Sequence, residues 1–212
     1  MTVMTFSSLK ADVQQYADRS DSPFVDQIPK LVALAELRIA TEVHALGYRK
    51  FGTTTFEAGQ PVSQKPSSWR ETVSISIGVG TGQNEHKHIF YREYQYCRRY
   101  WPLSTQTGEP RYYSDYDFEH WLVVPTPDRD YASEVAYHER PIPLSEDVQQ
   151  NWTTKYAPQL ILYATLLEAQ PFLMRPERTA EFQSLYDRAA SAITNEEKRR
   201  LLDDASARKD GT

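Results

Sequence analysis

Apolar residues occupy almost every position of the segment Gln159–Ala169, which follows the polar stretch Asn151–Pro158. Asn151 is a candidate N-cap, and Pro158 suits a first helical turn. A helix that is apolar on most of its faces is buried from several sides. The segment is too short, and carries Glu168, for a membrane span of about 20 apolar residues. We therefore predict a helix surrounded by neighbours, from this chain or from other subunits.

The first 48 residues carry the spacing of two helices. Ser7-Ser8 caps a short helix that runs to Asp18. A longer helix is predicted over Ile28–Leu46, where apolar residues recur every three or four positions and Leu34 and Leu37 widen the apolar face. Gly47 would end this helix.

The middle of the chain has the pattern of strands. Val73–Val79 alternates apolar and polar residues strictly, which is typical of a half-buried strand. Tyr91–Trp101 reads as a short helix stopped by Pro102. Weaker strand candidates, bounded by Gly and Pro, are Thr53–Glu57, Tyr112–Tyr116, Trp121–Val124 and Ser133–Glu139.

Helical spacing returns at about residue 145. A last helix is predicted over Glu177–Asp203, with an apolar stripe that includes Phe182 and Tyr186. The predicted fold class is therefore α+β, with a helical bundle from the N- and C-terminal helices (residues 1–48 and 145–204) and a central antiparallel β insertion (49–144). Residues 205–212 are small and polar and read as a flexible C-terminal tail.

The composition and net charge of the chain limit the classes of function that are expected. The 212 residues carry a formal net charge of -5, which does not suggest a protein that binds nucleic acid by neutralising phosphates. Cys97 is the single cysteine, so no intramolecular disulfide is possible and a reducing compartment is expected. The opening Met1–Phe6 lacks the basic and apolar parts of a secretion signal. Aromatic residues are frequent, at 12% of the chain.

Two constellations could carry chemistry. His86 and His88 have the spacing of a metal-binding pair, but no third ligand stands at a suitable distance, so an exposed loop is favoured and no metal or cofactor is predicted. Asp115, Asp117 and Glu119 would share one face of a strand, beside several aromatic rings. Such a set could form a glycosidase-like cleft, but a solvated strand face is the favoured interpretation.

Arginines alternate with aromatic residues between Phe90 and Trp101. Rings and cations together can hold a single nucleic-acid strand. Residues 90–121 nevertheless carry four Arg against five Asp or Glu, and a local charge of -1 opposes that role. Packing in the core or at a subunit contact, with cation–π pairs, is favoured. Phosphate-loop, nucleophile-elbow and Cys–His signatures are all missing from the sequence.

Three blocks of the chain, in this order and spacing, resemble the head-to-tail adaptor proteins of tailed bacteriophages. The first is a helix with the pattern Ala35-Glu36-x-Arg38. The second block contains three short motifs, Arg92–Pro102, Gly108–Tyr113 and Val124–Pro127. The third block consists of Asn151-Trp152, the apolar helix Leu162–Leu173 and the later Tyr186.

The resemblance covers about residues 5–200 and implies a structural virion protein without catalytic residues. Such adaptors form a homo-oligomeric ring, a dodecamer, that links the portal protein to a tail or nozzle protein while genomic DNA passes through the lumen. The resemblance also implies that the protein lies in the virion neck, that it is in the host cytoplasm during assembly, and that a membrane is not among its partners. The runner-up function is a carbohydrate-binding or glycosidase-like tail module, and a third is a single-strand binder.

Two sets of residues are candidate contacts with partners. The family's C-terminal segment often docks on the portal, so the end of this chain is the candidate portal-docking tail. Aromatic residues and arginines of the second block are the candidate subunit or tail interface. The two sets are Ala205, Ser206, Ala207, Arg208, Lys209, Asp210, Gly211 and Thr212, and Arg92, Tyr94, Arg98, Arg99, Tyr112 and Tyr116.

Overall fold

A computed structural model of the chain describes residues 3–43, 46–78 and 86–207. The helices are α1 (Phe6–Ala17), α2 (Ser22–Val25), α3 (Ile28–Glu42), α4 (Tyr94–Tyr100), α5 (Trp152–Tyr156), α6 (Pro158–Leu173) and α7 (Thr179–Ala207). The strands are β1 (Arg49–Phe56), β2 (Val62–Gln64), β3 (Trp69–Ile77), β4 (Lys87–Tyr91), β5 (Thr107–Gly108), β6 (Tyr112–Asp115), β7 (His120–Val124), β8 (Thr126–Pro127) and β9 (Tyr131–Glu139).

The chain forms two compact units. The helical unit comprises Met1–Tyr48 and Arg140–Thr212, and the strand unit comprises Arg49–Glu139. Each unit buries its own hydrophobic core, the first around α6 and the second between the strands. The two are described separately below.

Helix α6 is the centre of the helical unit. It packs against α1, α3, α5 and α7 of the same chain. Nine of its residues are buried, and they point in all directions around the helix axis: Leu160, Ile161, Leu162, Ala164, Thr165, Leu166, Leu167, Ala169 and Gln170. The predicted burial from several sides is therefore confirmed, and the neighbours are the chain's own helices.

Asn151 caps a helix, as predicted, but the helix is the short α5. Its side chain accepts a hydrogen bond from the Thr154 N–H, and the Thr154 hydroxyl accepts one from the Asn151 N–H. These two reciprocal bonds satisfy backbone groups that the first turn leaves free. Helix α6 then starts afresh at Pro158, whose missing N–H costs nothing at that position.

The boundaries of the first helices differ from the prediction. Thr5 caps α1 with a capping box, one turn earlier than the predicted Ser7-Ser8. Helix α3 starts at Ile28 as predicted but ends at Glu42. Leu34 and Leu37, expected to widen its buried face, are both exposed. Periodicity places residues around a helix, but only the packing partners decide how wide the buried stripe is.

A polar network links three helices inside the helical unit. Arg38 lies 3.5 Å from Glu42, four residues further along α3, and 2.6 Å from Glu168 on α6. The Tyr186 hydroxyl on α7 donates to Glu42 over 2.6 Å. Burial, followed by the hydrogen bond to Glu42, raises the pKa of Tyr186 far above its usual value, so the hydroxyl keeps its proton and acts as a donor.

Tyr186→Phe removes this donor while keeping the buried ring. We expect the free energy of unfolding to fall by about 1.5 kcal/mol, because the bond goes to a charged carboxylate. Urea denaturation followed by circular dichroism measures the change. Tyr16→Phe, at an exposed position of α1, is the matched control and should leave stability unaltered. An equal effect of the two substitutions would contradict the role of the network.

The strand unit contains a seven-stranded sheet in the order β1-β9-β3-β4-β6-β7-β2 and a two-stranded sheet of β5 and β8. The predicted fold class, a helical bundle with a central antiparallel β insertion, is wrong. The sheet is too large for an insertion on a bundle, and it has its own core of Phe56, Ile75, Ile77, Ile89, Tyr113, Trp121, Val123, Tyr131, Val135 and Tyr137. The protein is a mixed α+β fold.

The large sheet is also not purely antiparallel. β4 and β6 pair in parallel, through Phe90 opposite Tyr112 and Tyr91 opposite Tyr113. Helix α4 lies between β4 and β6 in the chain. The segment that contains it brings the chain back to the end of the sheet where β4 begins, so that β6 can run in the same direction as β4. The sequence predicted this helix, but the parallel pairing that it makes possible was missed.

The side chains of strand β7 alternate between the two faces of the large sheet. Trp121 and Val123 face the core of the large sheet, whereas Leu122 and Val124 face a smaller cluster around Cys97 of α4. Both faces are therefore covered, so His120–Val124 reads as a continuous apolar run after its first residue.

Among residues 3–43, 46–78 and 86–207, none of the helices combines the length and the apolar character that a bilayer crossing requires.

Candidate functional site

Helix α4 carries three of the six residues predicted to form an interface, Tyr94, Arg98 and Arg99. Cys97 anchors it, fully buried against Leu122 and Val124 of β7. Burial raises the pKa of the Cys97 thiol although the nearby charges of Arg92 and Arg98 lower it, so this cysteine is a packing residue and not a reactive thiolate. The anchored helix turns its other faces outward.

An aromatic cluster surrounds α4, and we call it the α4 aromatic cluster. Its rings lie at stacking and edge-to-face distances. The centroids of Tyr96 and Tyr100 are 4.7 Å apart, those of Trp101 and Tyr112 are 5.7 Å apart, and those of Tyr94 and Tyr116 are 6.1 Å apart. The members are Tyr94, Tyr96, Tyr100, Trp101, Tyr112 and Tyr116.

Two arginines lie over these rings. Arg92 is 5.4 Å from the centroid of Tyr112 and 5.7 Å from that of Tyr96. Arg98 lies 5.4 Å from the Tyr94 centroid, and its Nε donates to the Tyr94 hydroxyl over 3.1 Å. The rings hold the guanidinium groups in defined positions, which lowers the entropy that they would lose on binding a partner.

The cluster is a surface and not a core. Tyr94 is 42% exposed, Tyr116 is 45% exposed and Tyr100 is 59% exposed. Arg99 lies on the same helix and is exposed too. Pre-ordered tyrosines and arginines on an exposed surface have the composition of interface hot spots. The structure thus brings the predicted residues into two contacting groups, Arg92 with Tyr112 and Arg98 with Tyr94 and Tyr116. Arg99 lies on the same helix as Tyr94 and Arg98.

Tyr96, Tyr100 and Trp101 were not among the predicted interface residues, although they belong to the cluster. The available signal was the i,i+4 spacing of Tyr96 and Tyr100, which puts both rings on one side of a helix. The contact of Trp101 with Tyr112 could not be read from spacing, because it depends on where β6 lies beside α4.

The three candidate acidic residues do not share a strand face, so the glycosidase-like arrangement is wrong. Strand β6 ends at Asp115, and Asp117 and Glu119 lie in the turn that leads to β7. The Asp115 carboxylate accepts a hydrogen bond from Lys65 Nζ over 2.7 Å. Lys65 is itself buried, with its ammonium 3.7 Å from the centroid of Trp69. Asp115, whose own side chain is half exposed, therefore serves as the ion-pair partner of a buried lysine.

Asp117 has the wrong proton affinity for a general acid. Burial alone would raise its pKa, but hydrogen bonds from the His120 ring and from the N–H groups of Glu119 and His120 outweigh it and hold the pKa of Asp117 below its usual range. A glycosidase acid needs a raised pKa. The side chain instead fixes the turn between β6 and β7.

The two candidate histidine ligands lie at the start of β4, where His86 and His88 are both exposed. Within the described ranges, His, Cys, Asp and Glu form no group of three or more that could hold a metal ion.

The candidate portal-docking residues fall at the end of α7. This helix extends to Ala207, so Ala205, Ser206 and Ala207 form its last turn. Arg208, Lys209, Asp210, Gly211 and Thr212 lie outside the described residues. The preceding residues Glu196, Lys198 and Arg199 are exposed.

Comparison with known proteins gives one match. The family model described as SU10 adaptor protein matches residues 4–209, which include nearly all of both units. A search of curated proteins finds no match. The family match confirms the resemblance seen in the three sequence blocks. The chain belongs to the SU10 adaptor family, structural proteins of bacteriophage virions.

Proposed function

We propose that this protein is the adaptor of a phage neck, a structural subunit that links the portal ring to tail or nozzle proteins around the DNA channel. The family match over residues 4–209 carries the proposal. The role needs binding surfaces and no catalytic residues. The protein acts in the virion neck after assembling in the host cytoplasm.

We infer that the working form is a ring of twelve copies. A closed ring requires two different complementary surfaces on each subunit. The chain's net charge of -5 suits a lumen through which genomic DNA slides, because a wall that does not neutralise phosphates does not hold the DNA. Contact with DNA in this role is independent of base sequence.

The α4 aromatic cluster supports a protein contact on the strand unit. Tyr94, Tyr100 and Tyr116 of the cluster are exposed, and Arg92, Arg98 and Arg99 accompany its rings. Tyr and Arg lose little side-chain entropy on binding in such a setting and are enriched in interface hot spots. We propose that the cluster contacts a neighbouring subunit or a tail protein.

Residues Ala205–Thr212 are the proposed portal contact. Helix α7 supports this, since its residues beyond Ile193 are polar up to Arg200 and those described from Asn195 to Arg199 are exposed. An arm that becomes ordered only on the portal would delay assembly until the portal is present, because its ordering entropy is lost at that step.

The deciding experiment mixes purified protein with portal rings and measures the mass of the products by native mass spectrometry. We expect complexes with up to twelve copies per portal ring. A chain that ends at Asp204 should lose portal binding. The matched control keeps the length and the net charge of the wild type but has its last eight residues in scrambled order. Full-length protein that never adds to portal rings would overturn the proposal.

The α4 aromatic cluster is tested by Tyr94→Ala with Tyr116→Ala. We expect the double substitution to weaken ring formation or tail-protein binding by at least about tenfold, the effect of losing hot-spot residues. Tyr16→Ala is the matched control, because Tyr16 is also 45% exposed and lies on α1 in the helical unit. Unchanged mass distributions and unchanged tail-protein binding would exclude the cluster as an interface.

A further inference from the structure

The two edges of the seven-stranded sheet differ in length. β1 forms one edge and β2 the other. β1 pairs with β9 in unbroken register over all eight of its residues, from Arg49 to Phe56. A regular edge strand of this length presents backbone N–H and C=O groups that can pair with a further strand.

Strand β1 has few of the features that protect sheet edges. After Arg49 and Lys50 its residues are uncharged, and it contains neither a proline nor a bulge. Phe51 is 64% exposed. Natural edges that must stay unpaired are short, charged, bulged or interrupted by proline. The edge of β1 is therefore suited to strand addition, in which main-chain bonds supply affinity.

The exposed charges at the start of β1 and beside the end of β2 have opposite signs. β1 begins with the cations Arg49 and Lys50, and the Lys50 side chain is 53% exposed with its Nζ 3.4 Å from Glu139. At the other edge, the last residue of β2 is followed by Lys65, whose N–H donates to the Glu119 carbonyl over 2.7 Å. Glu119, with its exposed carboxylate, thus lies beside the end of β2.

Strand direction decides how these charges meet. In an antiparallel pair, the start of one strand lies opposite the end of the other. Antiparallel pairing of β1 with a β2 strand from another copy would place Arg49 and Lys50 near Glu119. In a parallel pair the positive and negative residues would lie at opposite ends of the paired segment. The charge pattern therefore favours the antiparallel arrangement.

We propose that β1 of one copy pairs antiparallel with β2 of the next copy, so that the sheets of successive subunits join edge to edge. The occupant is a second copy because the two edges are different surfaces of one chain, as a closed ring requires. The inference rests on the proposed ring. β2 has three residues, so this short ladder fixes direction and register while other surfaces of the subunit add contact area.

Charge reversal tests the pairing. Lys50→Glu and Glu119→Lys should each lower the cooperativity of ring filling on the portal by at least about tenfold, and the double substitution should restore most of it. Lys87→Glu is the matched control, since Lys87 is an exposed strand lysine with an acidic neighbour, Glu109, at 2.8 Å. It should assemble as the wild type does.

Proline substitution tests the backbone directly. Adjacent residues of an edge strand direct their N–H groups to opposite sides. Of Thr53→Pro and Thr54→Pro, one removes a bond to β9 and should reduce folding, measured by circular dichroism. The other removes an outward N–H and should keep the fold while preventing ring completion.

The outcomes separate the inference from the proposed function. Variants that bind portal rings as single copies, without filling them, support the edge pairing. If the charge variants and the folded proline variant fill rings as the wild type does, the inference is overturned. Loss of ring filling with Lys50→Glu but not with Glu119→Lys also overturns it, because β1 would then pair with a strand other than β2. Wild-type protein that never binds the portal would instead contradict the proposed function.

Discussion

Raising the pH from 4.5 to above 7 is expected to lower the free energy of unfolding by about 3 kcal/mol through Glu36 alone. Glu36 lies on α3 and is 3% exposed. Its carboxylate accepts hydrogen bonds from the Leu144 N–H over 3.0 Å and from Asn151 Nδ2 over 2.5 Å. It thereby connects α3 to the segment that leads into α5.

Burial raises the pKa of Glu36 from 4.5 to about 7, although the two hydrogen bonds act in the opposite direction. Between these values the folded protein keeps the proton and the unfolded chain has lost it. The stabilisation is therefore complete below pH 4.5 and is lost as the pH rises through 7. A shift of this size at about 1.4 kcal/mol per pH unit gives the expected loss.

Glu36→Gln isolates this contribution, because glutamine resembles the protonated acid and does not titrate. The difference in unfolding free energy between wild type and Glu36→Gln, from urea denaturation across this pH range, should change by about 3 kcal/mol. Glu181→Gln, at an exposed position of α7, is the matched control. A difference that stays constant with pH would refute the prediction.

Gly47→Ala is expected to destabilise the helical unit by about 3 kcal/mol. A Cβ atom at this position would overlap Nε1, Cε2 and Cδ1 of the Trp152 indole. The ring has little room to retreat, since its centroid lies 5.3 Å from that of Tyr48 and 6.3 Å from that of Tyr156. Forcing atoms into a packed site shifts side chains and backbone at a cost of this order.

Gly52→Ala is the matched control, because a Cβ there meets only Tyr137 Cε1 at an ordinary 3.5 Å. It should change stability by less than about 0.5 kcal/mol. Combining Gly47→Ala with Trp152→Ala should cost at least about 1 kcal/mol less than the sum of the two single changes, because the overlap disappears with the ring. Strict additivity would show that the ring is not the obstacle. Thermal and urea unfolding followed at 222 nm provide the measurements.

Several local features were predictable from the sequence because they depend on neighbouring residues. The start of α3 at Ile28, the start of α6 at Pro158 and the capping role of Asn151 follow from capping chemistry and periodicity. The alternation over Val73–Ile77 predicted part of β3 for the same reason. The short strands β2, β5 and β8 were missed, since two or three residues carry no detectable period. Strand β4 was missed as well, because the segment around His86 and His88 was predicted to be an exposed loop.

The contacts among the candidate interface residues were predictable in part. The alternation of Arg and aromatic residues indicated cation–π pairs, and Arg92 and Arg98 do lie over tyrosine rings. The role of these residues as an interface stays a prediction. Their exposure was not predictable, since burial depends on what packs over a helix. For the three acidic residues the local pattern was misleading. Alternation predicted that Asp115, Asp117 and Glu119 share one strand face, but the strand ends at Asp115 and the other two lie in the turn that follows.

The sequence by itself determined the longer helices and most of the longer strands, the buried character of α6 and the family, because these follow from local spacing and from the order of motifs. Only the tertiary structure decided that the strands form one large mixed sheet, with β4 parallel to β6 and with β1 and β2 at its edges. Strand order depends on contacts between residues far apart in the chain, and no periodicity encodes such contacts. The raised pKa of Glu36 and the position of Trp152 over Gly47 have the same origin, since each requires two segments that are distant in the chain to meet in one packed core.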